Sequence, residues 1–564
     1  MLSDFDMEGK GRLTKTAYYM KNYGLSYTMK KALRKFGVPI SEESEYMTWC
    51  RRNSAARSEL RAQSRQPLSG KVSFVVVSEA NDGAEQAGWK KQTCKRVSFA
   101  SLKKETTVET LLLEQEGDYF VFSGKEIRVL PEYLYEVSKA ICGKENKKTV
   151  DLIYTDEDNC VGNHRYRPFF KPDASLQLLL NFPYLGRCFA VSRSLLQRII
   201  ESGETVQLCG NDWYDLSLQA FRLAEGIYHI PKVLFSNRVR QEKRNEFVRS
   251  RAKGNEACLL HYLKSEHQKG RVRPSDAEGF FHIEYELQKQ PLVSIIIPNK
   301  DHIGELKVCL DSLKKCDYTN YEVVIAENNS EEPETFAYYE ELEKEDSRIR
   351  TVVWEGEFNY SAINNFAAKR ANGELLLFLN NDTKFMESRT LSELVISTLK
   401  PGVGACGAML YYEDQTIQHA GVIIGMGGFA AHALWSLTDR DERYYPFSLC
   451  EREVSAVTGA CLMVRRSVYE QVGGMDEDFA VALNDVDFCL KIRALGHLIL
   501  FNPYAKLYHY ESKSRGYEDT MEKQERFQSE IKRLQTKWEK EIKAKDPYYN
   551  PNLTLHRADY SMDI

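Results

Sequence analysis

No two cysteines in this chain form a CxxC pair, although 13 of them are spread over 564 residues. That removes zinc-ribbon and thioredoxin-type readings, which need two thiolates on one turn. An odd, scattered set fits reduced thiols acting as small buried apolar groups. No apolar run approaches the roughly 20 residues that span a bilayer. The opening MLSDFDMEGKGR has no apolar signal core, so a cytoplasmic chain is the expectation. An excess of one charge is missing as well: the formal net charge is −4, with acids and bases interspersed. A nucleic-acid partner, which requires a basic face, is not expected. What the chain does have is bulk. Hydrophobic residues make up 43%, over a length that suggests several domains.

The pattern divides the chain. Residues 1–70 read as a helical, basic segment with helix starts at Ser41 and Ser54. An apolar run, VSFVVV, opens a first α/β unit, continued by GDYFVF, DLIYTDED and HIPKVLF. Residues 236–290 read as a connector: a charged helix to about Lys264, then the polar break RVRPSDAEG. From Val293 the runs VSIIIP, YEVVIAE, IRTVVW and ELLLFLN alternate with helix-length segments near 306–313, 331–345 and 361–370. This alternation predicts a parallel, doubly wound sheet. After about Asp519 come a long charged helix and the run DPYYNPNLTL.

In such sheets ligands bind beyond the carboxyl ends of the strands. Three ends of the second unit are polar: Pro298, Asn299, Lys300 and Asp301; Glu327, Asn328, Asn329 and Ser330; and Asn380, Asn381 and Asp382. An acidic rim that receives a diphosphate needs a cation, so a divalent metal at Asp382 is expected. Hard oxygen ligands favour Mg²⁺ or Mn²⁺. Asp485 and Asp487 begin a predicted amphipathic helix ending near Gly496, and His509 follows another apolar strand. Asp485 reads either as a helix cap or as one carboxylate of a metal-assisted group transfer, and Asp487, two residues on, reads as structural. Lys513 and Arg515 could reach phosphate from the same loop. Gly425, Gly427 and Ala430 fit GxGxxA after an apolar strand, formally a dinucleotide fingerprint. They do not open a βαβ unit, so a Gly-rich acceptor-side loop beside His432 and Trp435 fits better.

VSIIIPNKD, FNYSAINN, LLFLNND, QHAG, TGACLMVRRSVYEQVGGMDEDFA, NDVDFCLKIR and HYESKSRGYED together resemble the motif series of family 2 glycosyltransferases. Those enzymes have a GT-A fold and act in bacterial cell-surface polysaccharide or O-antigen synthesis. The resemblance covers about 293–555. It implies inverting transfer of a sugar, such as rhamnose or a hexose, from a nucleotide donor to a glycan or lipid-linked glycan. Peripheral association with the inner face of the cell membrane is compatible with it. It assigns Asp382 to the metal, His509 to the metal or diphosphate, and Asp485 to the base. Pro298, Asp301 and Glu327 fall to the donor nucleotide, joined on the same rim by Asn299, Asn329 and Asn381. A non-catalytic nucleotide-sugar or carbohydrate-binding scaffold is the alternative.

YTDED, PFFKPD, NDWYDL and HIPKVLF resemble the extra N-terminal GT-A domain of two-domain members. Where an acidic metal-binding stretch is usual, this chain has Ser123, Gly124, Lys125 and Glu126. A lysine there repels a cation, and residues 78–116 look short for nucleotide binding. The expectation is therefore two tandem GT-A (Rossmann-like) domains, the first degenerate. The boundaries are a helical segment at 1–70, a degenerate domain at 71–240, a linker at 241–290, a catalytic domain at 291–535 and a helical tail at 536–564. Asp156, Glu157, Asp158 and Asp212 are read as turn and cap residues rather than an acidic pocket.

Overall fold

A computed structural model describes residues 42–79, 87–143, 149–206, 208, 213–252, 254–510 and 520–563. Ser41, Asn211, Asp212, Lys513 and Arg515 lie outside the described residues. The chain builds two large sheets with helices packed on their faces. The first uses β1 (Phe74–Ser78), β2 (Val97–Ser101), β3 (Tyr119–Ser123), β4 (Ile127–Val129), β5 (Leu152–Val161), β6 (His164–Phe169), β7 (Cys188–Ser192) and β8 (Ile227–Asn237). A small hairpin follows, β9 (Gly270–Pro274) with β10 (Phe281–Tyr285).

The second sheet begins with β11 (Val293–Asn299), β12 (Tyr321–Glu327), β13 (Ile349–Val353) and β14 (Leu375–Leu379). The short β15 (Thr383–Phe385) leads to β16 (Val403–Tyr411) and β17 (Ile417–His419). A separate hairpin, β18 (Val422–Ile424) with β19 (Ala430–His432), precedes β20 (Arg452–Val454), β21 (Cys461–Arg465) and β22 (Leu498–His509).

Central strands such as β3 and β14 are buried along their whole length. That is why they read as unbroken apolar runs rather than alternating ones. The flanking helices bury one stripe. In Ile303–Leu313 the inward residues are Leu306, Cys309, Leu310 and Leu313, the spacing of a single helical face.

The α/β class agrees with the sequence, but the second sheet is not wholly parallel. Strands β13, β12, β11 and β14 run parallel, and β21 then enters antiparallel to both β14 and β16. A buried apolar run reports a strand and not its direction. Three smaller expectations also change. The RVRP stretch is β9, because Val272, Phe281 and Ile283 of its hairpin point inward. The helix expected at Ser54 starts at Arg57, because the Ser54 amide and hydroxyl bond back to Cys50 O and close the preceding helix. Asp156, Glu157 and Asp158 lie within β5 and not in turns or caps.

The two sheets share a plan. The first runs β2-β1-β3-β7-β5-β8-β4, and the second runs β12-β11-β14-β21-β16-β22-β15 with β13 added at the edge. Each neighbouring pair has the same relative direction in both sheets.

After the helix Met521–Lys537 the tail crosses between the sheets. Asp546 Oδ2 accepts the Ile424 amide (2.8 Å), Asn550 Nδ2 donates to both Asp156 oxygens (3.0 Å each), and Tyr560 stacks on Phe447 at 4.1 Å.

Candidate active site

The site is assembled on the carboxyl rim of β11, β12 and β14. Pro298 is half-buried near the end of β11, and Asn299 is the last residue of that strand. Asn299 Nδ2 donates to Asp301 O (2.8 Å) and Tyr339 Oη (2.7 Å), and its Oδ1 accepts Asn381 Nδ2 (2.6 Å). Asp301 stands at φ 50°, and its carboxylate accepts the Glu331 and Glu332 amides, each at 3.0 Å. Burial works to raise its pKa, but those amides outweigh it and hold the carboxyl below its ordinary value. Glu327 is buried and accepts the Ser330 amide (2.6 Å), the Ser330 hydroxyl (2.7 Å) and the Tyr339 hydroxyl (2.8 Å). Asn329, at φ 56°, donates to Gly356 O (2.9 Å). The donor-side candidates thus form one connected rim. Asp301 and Glu327, expected to face a nucleotide directly, already accept hydrogen bonds from the chain and shape the loop.

Asp382 is the last residue of the three-residue link between β14 and β15, and the register pairs Thr383 with His509. His509 is therefore delivered to Asp382 across 127 residues of sequence. Its Nδ1 donates to Gln418 Oε1 (2.7 Å), so Nε2 is the atom facing Asp382 Oδ1, at 3.2 Å. That Oδ1 is buried and makes no hydrogen bond of good geometry. A buried carboxylate oxygen whose one close neighbour is a poorly aligned imidazole nitrogen is costly unless a cation meets it. Burial works to raise the Asp382 carboxyl, and His509 outweighs it, so the group stays below its ordinary pKa as an anion. A carboxylate and an imidazole oriented through its second nitrogen suit a divalent cation. Among the described residues no set of three or more His, Cys, Asp and Glu converges as a metal cage.

Asp485 is the second residue of the helix Asn484–Ala494, whose N-cap is Leu483 at φ 59°. Its Oδ2 accepts the Gly459 amide (2.9 Å), and Gly459 O accepts the Tyr360 hydroxyl (2.8 Å). The neighbouring Ala460 O accepts the Asn380 amide (3.0 Å). The loop 458–460 therefore connects the strand end that carries Asp382 to the helix start that carries Asp485. Tyr360 feels both carboxylates; burial first, then the charges of Asp485 and Asp382, push its pKa far up, so it remains a neutral donor.

A cleft of about 180 Å³ opens on this base, lined by Val422, Ala430, His432, Val481, Leu483 and Asp485 among others. Of the two acceptor-side candidates, His432 is on its wall. Trp435 does not line it, and sits 40% exposed with its indole N–H on the Tyr412 hydroxyl (2.8 Å). Gly425 and Gly427 take φ 90° and 63° at the tip of the β18–β19 hairpin. Positive φ at a tight tip is what glycine permits, which accounts for the apparent dinucleotide fingerprint. Asp487 is fully buried, with Oδ1 accepting Trp538 Nε1 (2.7 Å) and Lys537 Nζ (2.8 Å), as its structural reading requires.

Gln418, Tyr360 and Gly459 were not singled out from sequence, although QHAG, FNYSAINN and TGAC contain them. G-x-C-x-x-V-x-R-S occurs at both 186–194 and 459–467, opening β7 and β21. The register extends this correspondence. Ile127 pairs with Asn237 as Thr383 pairs with His509. Glu126 O accepts the Arg238 amide (2.7 Å) as Asp382 O accepts that of Tyr510 (2.9 Å). Glu126 and Asn237 thus occupy the places of Asp382 and His509. Glu126 points to solvent. Asn237 Nδ2 donates to Glu157 (3.1 Å), whose other oxygen accepts Lys171 Nζ (2.8 Å). Lys171 is wholly buried and also donates to Leu185 O (2.9 Å). An ammonium and its carboxylate fill the space beside Gly186.

Comparison with known proteins decides the family. Residues 294–473 match the model described as Glycosyl transferase family 2. This segment is a family 2 glycosyltransferase domain. The matched residues include Asp382 and Gly459; Asp485 and His509 lie beyond them. Over 453 residues the chain is 35% identical to the uncharacterized protein y4gI of Sinorhizobium fredii, covering 79% of this chain and 49% of that protein. It is 36% identical over 451 residues to the O-antigen biosynthesis protein RfbC of Myxococcus xanthus, covering 78% and 34%. A 126-residue stretch is 32% identical to the N-acetylglucosaminyl-diphospho-decaprenol L-rhamnosyltransferase of Mycobacterium tuberculosis, covering 21% and 40%. The chain spans about half or less of the length of these relatives.

Proposed function

We propose that this family 2 chain is an inverting, divalent-cation-dependent glycosyltransferase. It would move a sugar from a nucleoside diphosphate donor to a hydroxyl of a cell-surface polysaccharide or lipid-linked glycan. The observation that carries the reading is the junction of two sites. The Asp382–His509 pair stands at one end of the 458–460 loop and Asp485 at the other, with the cleft opening on Asp485. The acceptor class rests on the names of the O-antigen and rhamnosyl relatives.

Asp382 and His509 would hold Mg²⁺ or Mn²⁺. When bound, that ion offsets charge on the departing diphosphate. The rim of Asn299, Asp301, Glu327, Asn329 and Asn381 would seat the nucleotide. Asp485 would take the proton of the acceptor hydroxyl as that oxygen attacks the anomeric carbon from the face opposite the diphosphate. A single in-line displacement inverts the centre and needs no covalent enzyme intermediate. The Gly459 amide holds Asp485 Oδ2 and the Val486 amide holds Oδ1, and each oxygen keeps a second lone pair with which to accept a proton.

The first sheet would be a second GT-A copy that has lost the chemistry. Its strand plan matches, and its Asp382 and His509 positions carry Glu126 and Asn237. The buried Lys171–Glu157 ion pair lies against Asn237. On this reading 71–240 and 291–535 are tandem domains and the first braces the second.

The test is transfer by the purified chain from a panel of uridine- and deoxythymidine-diphosphate sugars with Mn²⁺. Asp485→Asn should bind donor as the parent does by calorimetry and transfer about 10²–10⁴-fold more slowly. Asp382→Asn should lose both transfer and the bound-Mn²⁺ resonance signal. Undiminished transfer by metal-stripped protein, or by Asp485→Asn, would refute the proposal.

A further inference from the structure

We infer that Glu530, on the C-terminal helix Met521–Lys537, is a positioning residue for Asp485. The inference rests on the assignment of Asp485 as the base. Asp485 is fixed by two amides, those of Gly459 (2.9 Å) and Val486 (2.8 Å), so its aim follows the position of its own backbone. That backbone arrives through Leu483 at φ 59°, a strained entry that the surroundings must hold. The amides just before the turn, Val481 and Ala482, have a partner 48–49 residues away: they donate to Glu530 Oε1 (2.9 Å) and Oε2 (3.2 Å). Glu530 is 4% exposed, and a buried carboxylate on backbone N–H groups is a strong, directional hold.

The same helix grips the other side of the base. Nζ of its last residue, Lys537, and Nε1 of the capping residue Trp538 both donate to Asp487, and Lys537 also reaches Asp476 (2.6 Å). Glu530 and Lys537 are seven residues apart, on one helix face. Asp485 thus sits between two anchors supplied by a helix that contributes nothing to the cleft lining. Val481 and Ala482 do line the cleft, so loosening Glu530 moves its wall and its base together. A misplacement of about 1 Å in a reacting group can cost about 10² in rate.

Glu530→Gln keeps the size but turns an N–H₂ toward an amide N–H that it cannot accept. The expected result is a kcat about 10- to 100-fold below the parent, with donor affinity by calorimetry within about twofold because the Asp382 rim is untouched. The deciding readout is a double-mutant cycle. If Glu530 acts through Asp485, adding Glu530→Gln to Asp485→Asn should slow transfer by less than about twofold further. Should Glu530→Gln fail to fold, Trp538→Phe removes one bond to Asp487 and is expected to show the same non-additivity. A parental kcat in Glu530→Gln, or its full cost persisting in the Asp485→Asn background, overturns the inference. Unchanged turnover in Asp485→Asn alone would instead remove the base assignment beneath it. The exposed Glu525 of the same helix, changed to Gln, is the control and should match the parent.

Discussion

Lys171→Met tests the view that the first sheet carries a built-in positive charge in place of catalytic apparatus. In the parent the ammonium is wholly buried, bonded to Glu157 Oε2 and Leu185 O at 2.8 and 2.9 Å, and lies 5.4 Å from the Phe235 ring centroid. Methionine fills most of the volume but takes the ammonium away from the Glu157 carboxylate, whose side chain is 14% exposed and which keeps the Asn237 amide as a donor. Removing one partner of a buried pair costs about 3–5 kcal/mol. For a unit of this size that lowers the melting temperature by about 6–20 °C, at 2–4 °C per kcal/mol. Replacing both partners with apolar residues, Lys171→Met with Glu157→Leu, should recover most of the loss, because no uncompensated charge then remains. Scanning calorimetry reads both variants, and a transfer assay at low temperature should show parental turnover per folded molecule. A single-variant loss below about 1 kcal/mol would show that Lys171 is not the counter-charge the cluster needs. Lost turnover with an intact fold would show that the first sheet takes part in catalysis.

Two further outcomes follow from the cited geometry. Gln418→Leu removes the acceptor that orients His509, and second-shell losses of this kind weaken metal affinity about 10- to 100-fold; Mn²⁺ titration followed by paramagnetic resonance should show this, and parental affinity would exclude the orienting role. His229 lies between Asp156 (2.9 Å) and Asp173 (3.2 Å), and although burial opposes it these carboxylates raise its pKa. A raised folded pKa gives stability that is fully present below the unfolded value of about 6.5 and is lost as pH rises through the folded value. Denaturant melts across that window should fall with pH in the parent and flatten in His229→Gln; an equal slope in both would refute the linkage.

The sequence alone determined the elements and the chemistry-bearing ends of several. Apolar runs such as 375–379 locate strands because a doubly covered strand has no polar face. Asp382 past one run, Asp485 at a helix start and His509 at the end of another are local features, so periodicity and capping rules reach them. What only the tertiary structure decided depends on partners far along the chain. These include the antiparallel entry of β21, Gln418 holding a histidine 91 residues away, and Glu530 bonding amides 48 and 49 residues away. The same holds for the tail's Asn550 on Asp156, 394 residues apart. Hydrogen-bond partners of that kind are fixed by how strands are ordered and registered, which residue periodicity does not encode. The repeated strand plan shows the division most clearly. Its short echo at 186–194 and 459–467 was present in the residues, but only strand register shows that Glu126 and Asn237 stand where Asp382 and His509 do. The burial of Lys171 against Glu157 and Leu185 O, beside Asn237, is likewise visible only in the folded chain.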